Sequence, residues 1–120
     1  MTAIDAAEET RGALDRFNDA FGRHDVDAVM AAMTPDCVFE DTTAPDGGRH
    51  QGTEAVRRCW EQLFAASPDA VFDTEDVLIA GDRAVVCWRY RWSQDGHVRG
   101  VDVFRVVGGL VAEKLSYVKG

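Results

Sequence analysis

Apolar residues in the first 24 positions recur at helical spacing, with Ile4, Ala7, Leu14, Phe17 and Phe21 on one face. Thr2 is placed to cap this helix, and Asp5, Glu8 and Glu9 favour its positive N-terminal end. The pattern predicts a long amphipathic helix ending near Arg23 and His24. Asp25 caps a second, short helix with Val26, Val29, Met30 and Met33 on its apolar side, and Pro35 stops it. A short strand is expected over 37–41, then a turn-rich loop over 42–52 containing Pro45, Gly47 and Gly48. Thr53 caps a third helix over 54–66, whose Val56, Trp60, Leu63 and Phe64 share a face.

From Val71 onward the apolar period changes to two residues. Turn signals at Gly81-Asp82, Asp95-Gly96 and Gly108-Gly109 divide the remainder into four strands. Helices first and an antiparallel meander afterwards predict an α+β fold, three helices packed on one face of a strongly curved, mainly antiparallel sheet. Its 120 residues, 46% hydrophobic and 28% charged, suit a single domain over 1–120 with one core and room for a small-molecule cavity.

Charge and cysteine content narrow the function. The formal charge of -8 repels phosphate backbones and anionic lipid, so neither nucleic acid nor a membrane is an expected partner. Cys37, Cys59 and Cys87 are odd in number, form no CxxC pattern and sit among apolar residues, which suits reduced thiols in a cytoplasmic protein with no metal site. An acidic start and the lack of an apolar run near the ~20 residues of a membrane span point the same way.

Candidate chemistry centres on Asp102, within the strand expected over 98–107. Alternation places Val98, Gly100, Asp102, Phe104 and Val106 on one face, and Arg99, Val101, Val103, Arg105 and Val107 on the other. The arginines mark the second face as outward, so Asp102 points inward, where an ionised carboxylate is costly without partners. Three-residue loops at 94–96 and 107–109 would align Trp88, Asp102 and Lys114 in one cross-strand row, flanked by Tyr90, Gly100 and Ser116. Two-residue turns would instead set Asp102 opposite Arg89 and Leu115. The first register is favoured, because it gathers Val86, Trp88, Tyr90 and Trp92 inside and sends Arg89 and Arg91 out. Two states of Asp102 stay open: a neutral acid that donates a hydrogen bond, or an ion pair with Lys114.

The segments DVDAVMAAMTPDCVFED (25–41), HQGTEAVRRCW (50–60) and GVDVFRVVGGLVAEKLSYV (100–118) resemble the nuclear-transport-factor-2-like superfamily, in particular its SnoaL-like polyketide cyclase and ketosteroid isomerase branches. The resemblance implies a cone-shaped α+β barrel with a pocket at its open end. It also implies that Asp41, after Phe39 and Glu40, matches the general-base aspartate of the isomerases, and that Asp102 matches their oxyanion-hole aspartic acid. In those enzymes the base is paired with a carboxylic acid that an apolar surrounding keeps neutral. Phe17 stands where that family's hydrogen-bonding tyrosine is expected, so half of the oxyanion hole is missing. Phe39, His50, Trp60 and Trp88 are expected to line the pocket with Phe17. Tyr90, Phe104, Lys114 and Ser116 complete the candidate binding set.

The implied activity is cofactor-independent proton transfer at carbon beside a carbonyl, as in isomerisation or cyclisation of a polyketide-like or steroid-like substrate. The alternative is a non-catalytic module that binds a small apolar molecule or serves dimerisation. An outward strand face carrying Val85, Val101, Val103 and Val107 suggests a homodimer.

Overall fold

A computed structural model describes residues 5–93 and 95–119. Helix α1 (Ala6–Gly22) is capped by Asp5, whose Oδ1 accepts the Glu8 N–H at 2.8 Å. Thr2 and Ile4, expected in this helix, lie outside the described residues, and Ala7 is exposed rather than on the inner face. Asp25 caps α2 (Val26–Ala31) as expected, accepting the Ala28 N–H. That helix ends before Pro35. Strand β1 (Met33–Glu40) already contains Met33 and Pro35. Its pairing is irregular between Met33 and Val38, and a residue without an N–H is tolerated in such a break.

Strand β2 (Arg49–Gln51), which the sequence pattern does not predict, pairs antiparallel with β1, placing His50 opposite Phe39. Helix α3 (Thr53–Ala66) follows. Thr53 is its first residue rather than its cap, and Gly52 takes the cap position at φ 89° with no side-chain bond. Strands β3 (Val71–Ala80), β4 (Arg83–Arg91), β5 (His97–Val107) and β6 (Leu110–Val118) form the expected meander. The strand order is β2-β1-β6-β5-β4-β3, with every pair antiparallel except β1 and β6. The sheet is curled but not closed, since β2 and β3 remain its two edges.

Faces follow the expected alternation, while the register does not follow the expected turns. Asp102 is buried, Arg99 is exposed and Arg105 half-buried. Asp102 stands opposite Val86 and Ser116, and Trp88 opposite Gly100, rather than in a Trp88–Asp102–Lys114 row. The β4–β5 pairing closes at Arg91 and His97, so its loop spans five residues, one of which, Gln94 of the expected turn, lies outside the described set. The β5–β6 turn is the two-residue Gly108-Gly109, both at positive φ. A bulge at Ala112 then restores the face parity that a two-residue turn alone would have reversed. Trp92 falls in the longer loop and is 48% exposed, not in the core.

The inner layer is aromatic. Phe17 meets Phe104 edge-on at 5.5 Å and Phe21 stacks beside it at 5.7 Å, while Phe21 meets Trp60 at 5.3 Å. Phe17, Trp60 and Phe104 are almost fully buried, so α1 and α3 are seated on the concave face of the sheet. No helix among the described residues is long and apolar enough to cross a membrane.

Candidate active site

A cavity of about 360 Å³ opens where α3 meets the C-terminal ends of β1 and β6 and the neighbouring ends of β3, β4 and β5. Two of its polar groups, His50 and Lys114, belong to a single cross-strand row. Phe39 on β1 stands between His50 on β2 and Lys114 on β6. Because inward side chains in one row share a face, a base-type ring and an ammonium flank one phenyl group.

Lys114 is held from two sides. Its Nζ donates to Ser116 Oγ at 3.0 Å and lies 3.2 Å from Asp102 Oδ2, while Ser116 Oγ donates to Asp102 Oδ1 at 2.7 Å. The Lys114 and Asp102 side chains are only 7% and 9% exposed. Nζ also lies 4.9 Å from the centre of the Phe39 ring, 5.5 Å from Phe21 and 5.6 Å from Trp60, within cation–π range. An ammonium has three N–H groups, so one is left over after Ser116 and Asp102.

Asp41 follows β1 at the cavity mouth. Its Oδ1 accepts the N–H groups of Gly48 at 2.6 Å and Thr43 at 3.0 Å, and its Oδ2 lies 3.0 Å from His50 Nε2. Burial acts to raise its pKa, but the bonds from His50, Gly48 and Thr43 outweigh it and hold the carboxyl well below the usual carboxylate range. A carboxylate only accepts, so His50 Nε2 carries the proton and a neutral ring leaves its lone pair on Nδ1. Nδ1 has no partner among the described residues. Gly48 makes room for this loop closure, since a Cβ there would stand 2.8 Å from Asp41 Oδ2.

Of the candidate residues, Phe39, Asp41, His50, Trp60, Trp88, Tyr90 and Lys114 line the cavity. Asp102, Phe17, Phe104 and Ser116 do not. Phe17 and Phe104 are packed beneath it, and Asp102 and Ser116 touch the cavity only by way of Lys114. Ser116 instead borders a second, polar depression of about 310 Å³, across the 42–47 loop, which Asp41 also borders. Asp102 thus stands within reach of both Lys114 and Ser116, the arrangement that the ion-pair alternative requires. Asp41 is likewise engaged by the loop that follows it and by His50, whose ring keeps the Nδ1 lone pair.

Several wall residues are not singled out by the sequence pattern. Phe72 faces Tyr90 across β3 and β4, with ring centres 4.5 Å apart, and period-two alternation alone could have found it. Cys59 and Gln62 line the cavity from α3 beside Leu63, which belongs to the helix face that the apolar spacing marks. Burial, reinforced by the negative charge of Asp41, pushes the Cys59 thiol pKa up, so it is a poor nucleophile. The indole N–H groups of Trp60 and Trp88 are buried without a hydrogen-bond partner.

No curated protein matches this sequence. Among solved structures, an NTF2-like protein of unknown function from Mesorhizobium loti is 41% identical and superimposes with a TM-score of 0.86, covering 99% of this chain and 98% of that one. A candidate polyketide cyclase from Sinorhizobium meliloti is 26% identical with a TM-score of 0.76, over 87% of this chain and 92% of its own. A candidate ketosteroid isomerase from Kribbella flavida shares the fold at 21% identity, with a TM-score of 0.84 over 98% of this chain and 83% of its own. The SnoaL-like domain matches residues 14–114, nearly the whole of the helical layer and the meander, and the chain belongs to the SnoaL-like domain family.

Proposed function

We propose that this chain is a cofactor-independent isomerase or cyclase that moves a proton at carbon next to a carbonyl of a largely apolar substrate. The observation that carries this reading is the row His50–Phe39–Lys114 on the wall of a cavity otherwise rich in aromatic side chains. His50, oriented by Asp41, removes the proton through Nδ1. Lys114 offers its remaining N–H and its charge to the oxygen on which negative charge develops. Asp102 and Ser116 act as positioning residues that hold the ammonium in place. The roles that the family resemblance implies for Asp41 as base and Asp102 as acid thus pass to the partners each carboxylate holds.

Such a base contributes about 100- to 10,000-fold to the rate. The test is deuterium exchange at the α-carbon of 2-tetralone, followed by NMR in heavy water. The wild type should accelerate exchange, and His50→Ala should lose about 100-fold or more. Binding of the ketone without acceleration would show a non-catalytic pocket instead.

The outer sheet face supports a homodimer. Leu78, Val85, Val103 and Leu115 form one apolar row across four strands, and Leu78 is 58% exposed. Sedimentation at micromolar concentration should give a dimer and Val103→Glu a monomer; a monomeric wild type would remove the claim.

A further inference from the structure

Of the 13 basic residues, 11 are arginine, and Lys114 and Lys119 are the two lysines. Several arginines at the surface stand in ion pairs, as in Arg91 with Asp73, Arg99 with Glu75 and Arg105 with Glu113. The buried cation facing the cavity is a lysine. A guanidinium would serve a carboxylate partner with two parallel bonds, but it cannot give up its proton, whereas an amine can and then becomes a nucleophile. We propose that Lys114 captures an aldehyde or ketone in the cavity as an iminium. The inference rests on the carbonyl reading of the site given above and adds a covalent step to it.

The geometry supplies what the step needs. Asp102 Oδ2, 3.2 Å from Nζ, takes one ammonium proton, and Ser116 Oγ at 3.0 Å offers a second path for it. The freed lone pair on Nζ attacks the carbonyl carbon, the C=O π bond breaks onto oxygen, and that oxygen is protonated to give a carbinolamine. Protonation of its hydroxyl and loss of water leave the C=N bond with one proton still on nitrogen. The net change is ammonium plus carbonyl giving iminium plus water, with no oxidation, reduction or co-reactant, and hydrolysis reverses it; the proton Asp102 accepts from Nζ is returned to the carbinolamine hydroxyl and leaves in that water. The iminium keeps a positive charge beside the rings of Phe39, Phe21 and Trp60, so the contacts that hold the ammonium also hold the adduct. It then draws electrons from the adjacent C–H bond more strongly than a neutral carbonyl does, and His50 removes that proton to give an enamine.

The probe is cyclohexanone with sodium cyanoborohydride, which reduces an iminium to a stable secondary amine. Labelling is located by intact mass and by mapping the peptide that follows Arg105. Exposed Lys119 and the N-terminal amine serve as internal references. We expect one cyclohexyl group per chain on Lys114, formed about 10-fold or more faster than on Lys119 because the cavity holds the ketone beside Nζ. Lys114→Arg should abolish the fast phase, with circular dichroism confirming the fold. Ser116→Ala, which keeps both charges, should slow it and not remove it. Labelling shared evenly between Lys119 and the N-terminus, with Lys114 untouched, would overturn the proposal. Exchange of α-protons measured in parallel separates the two claims. Exchange without Lys114 labelling refutes the iminium and leaves acid–base catalysis standing, whereas labelling without exchange supports the iminium and refutes catalysis by His50.

Discussion

Replacing Asp102 by Asn removes one charge from a pair that is almost wholly out of water and leaves the other in place. With Nζ and Oδ2 3.2 Å apart, the Coulombic attraction at an effective dielectric of about 20 is roughly 5 kcal/mol before desolvation is counted. Breaking a buried pair from one side costs about 3 to 5 kcal/mol. An asparagine carbonyl can still accept from Ser116, so the lower figure applies, and Asp102→Asn should lose about 3 kcal/mol. That corresponds to a fall in Tm of roughly 10 °C for a chain of this length. Adding Lys114→Met removes the stranded ammonium and fills its channel among Phe21, Phe39 and Trp60 with an apolar stem of similar length. The double variant should therefore recover to within about 1 kcal/mol of wild type, a recovery of about 2 kcal/mol over the single variant. Urea denaturation of the wild type, both single variants and the double variant at neutral pH measures this cycle. An Asp102→Asn protein as stable as wild type, or a double variant no better than that single one, would refute the ion-pair account and restore the neutral-acid reading of Asp102.

Two other perturbations test the frame of the site. The pKa of Asp41 is depressed in the folded chain, so its ionised form binds the fold more tightly than its protonated form; the resulting stability is present above the unfolded value near 4 and is lost as pH falls through the lower folded value. Asp41→Asn should therefore flatten the loss of stability that the wild type shows below about pH 4, measured by urea midpoints across an acid series, and an unchanged acid slope would contradict this assignment. At Gly100, an added Cβ would press on the Tyr117 carbonyl and stand 2.6 Å from the Trp88 ring, so Gly100→Ala should cost about 2 kcal/mol and shift the fluorescence of Trp88; a variant of wild-type stability would show that the indole has room to move.

Which parts of this molecule are legible in its sequence depends on whether the information is local. The inward face of β5 can be read from Asp102, Phe104 and Val106 alone, because alternation is a property of one strand. Register depends on two strands and the loop between them, and there the expected rows are displaced by two residues on each side of β5. At β4–β5 the loop is two residues longer than the turn residues suggest, and at β5–β6 a glycine turn and the Ala112 bulge combine to the same effect. Each displacement is an even number, so no side chain changes face, which is why a wrong row still names the right residues. Strand β2 and the parallel pairing of β1 with β6 are illegible for a different reason. The parallel pairing joins segments distant in sequence, and the three residues of β2, reading Arg-His-Gln, have no alternation of their own.

The same distinction explains how the chemical roles move. Asp102 stands out because a carboxylate is unexpected inside a strand pattern, and Asp41 through the family resemblance; the first is buried and the second partly so. Burial, however, is tolerable only because each has a partner, and a partner across a strand is non-local information. Once Asp41 is bonded to Gly48, Thr43 and His50, its charge is committed to orienting the imidazole. Once Asp102 is shared between Ser116 and Lys114, it sets the position of the ammonium. Asp102 lies one step back from the cavity behind Lys114, and Asp41 at the mouth orients His50, so the lone pair on His50 Nδ1 and the third N–H of Lys114 are what these two carboxylates present to the cavity. The placement of His50 and Lys114 on either side of Phe39 follows from two strand pairings, β1 with β2 and β1 with β6, that converge on one residue. The buried phenyl ring thus fixes the spacing of the two polar groups, so Phe39→Ala should loosen both at once, whereas Phe104→Ala, on the far side of Lys114, should disturb only the ammonium. Histidine NMR titration read beside the Lys114 labelling rate checks this, and a Phe39→Ala chain that leaves both unchanged would show that the ring does not set their spacing.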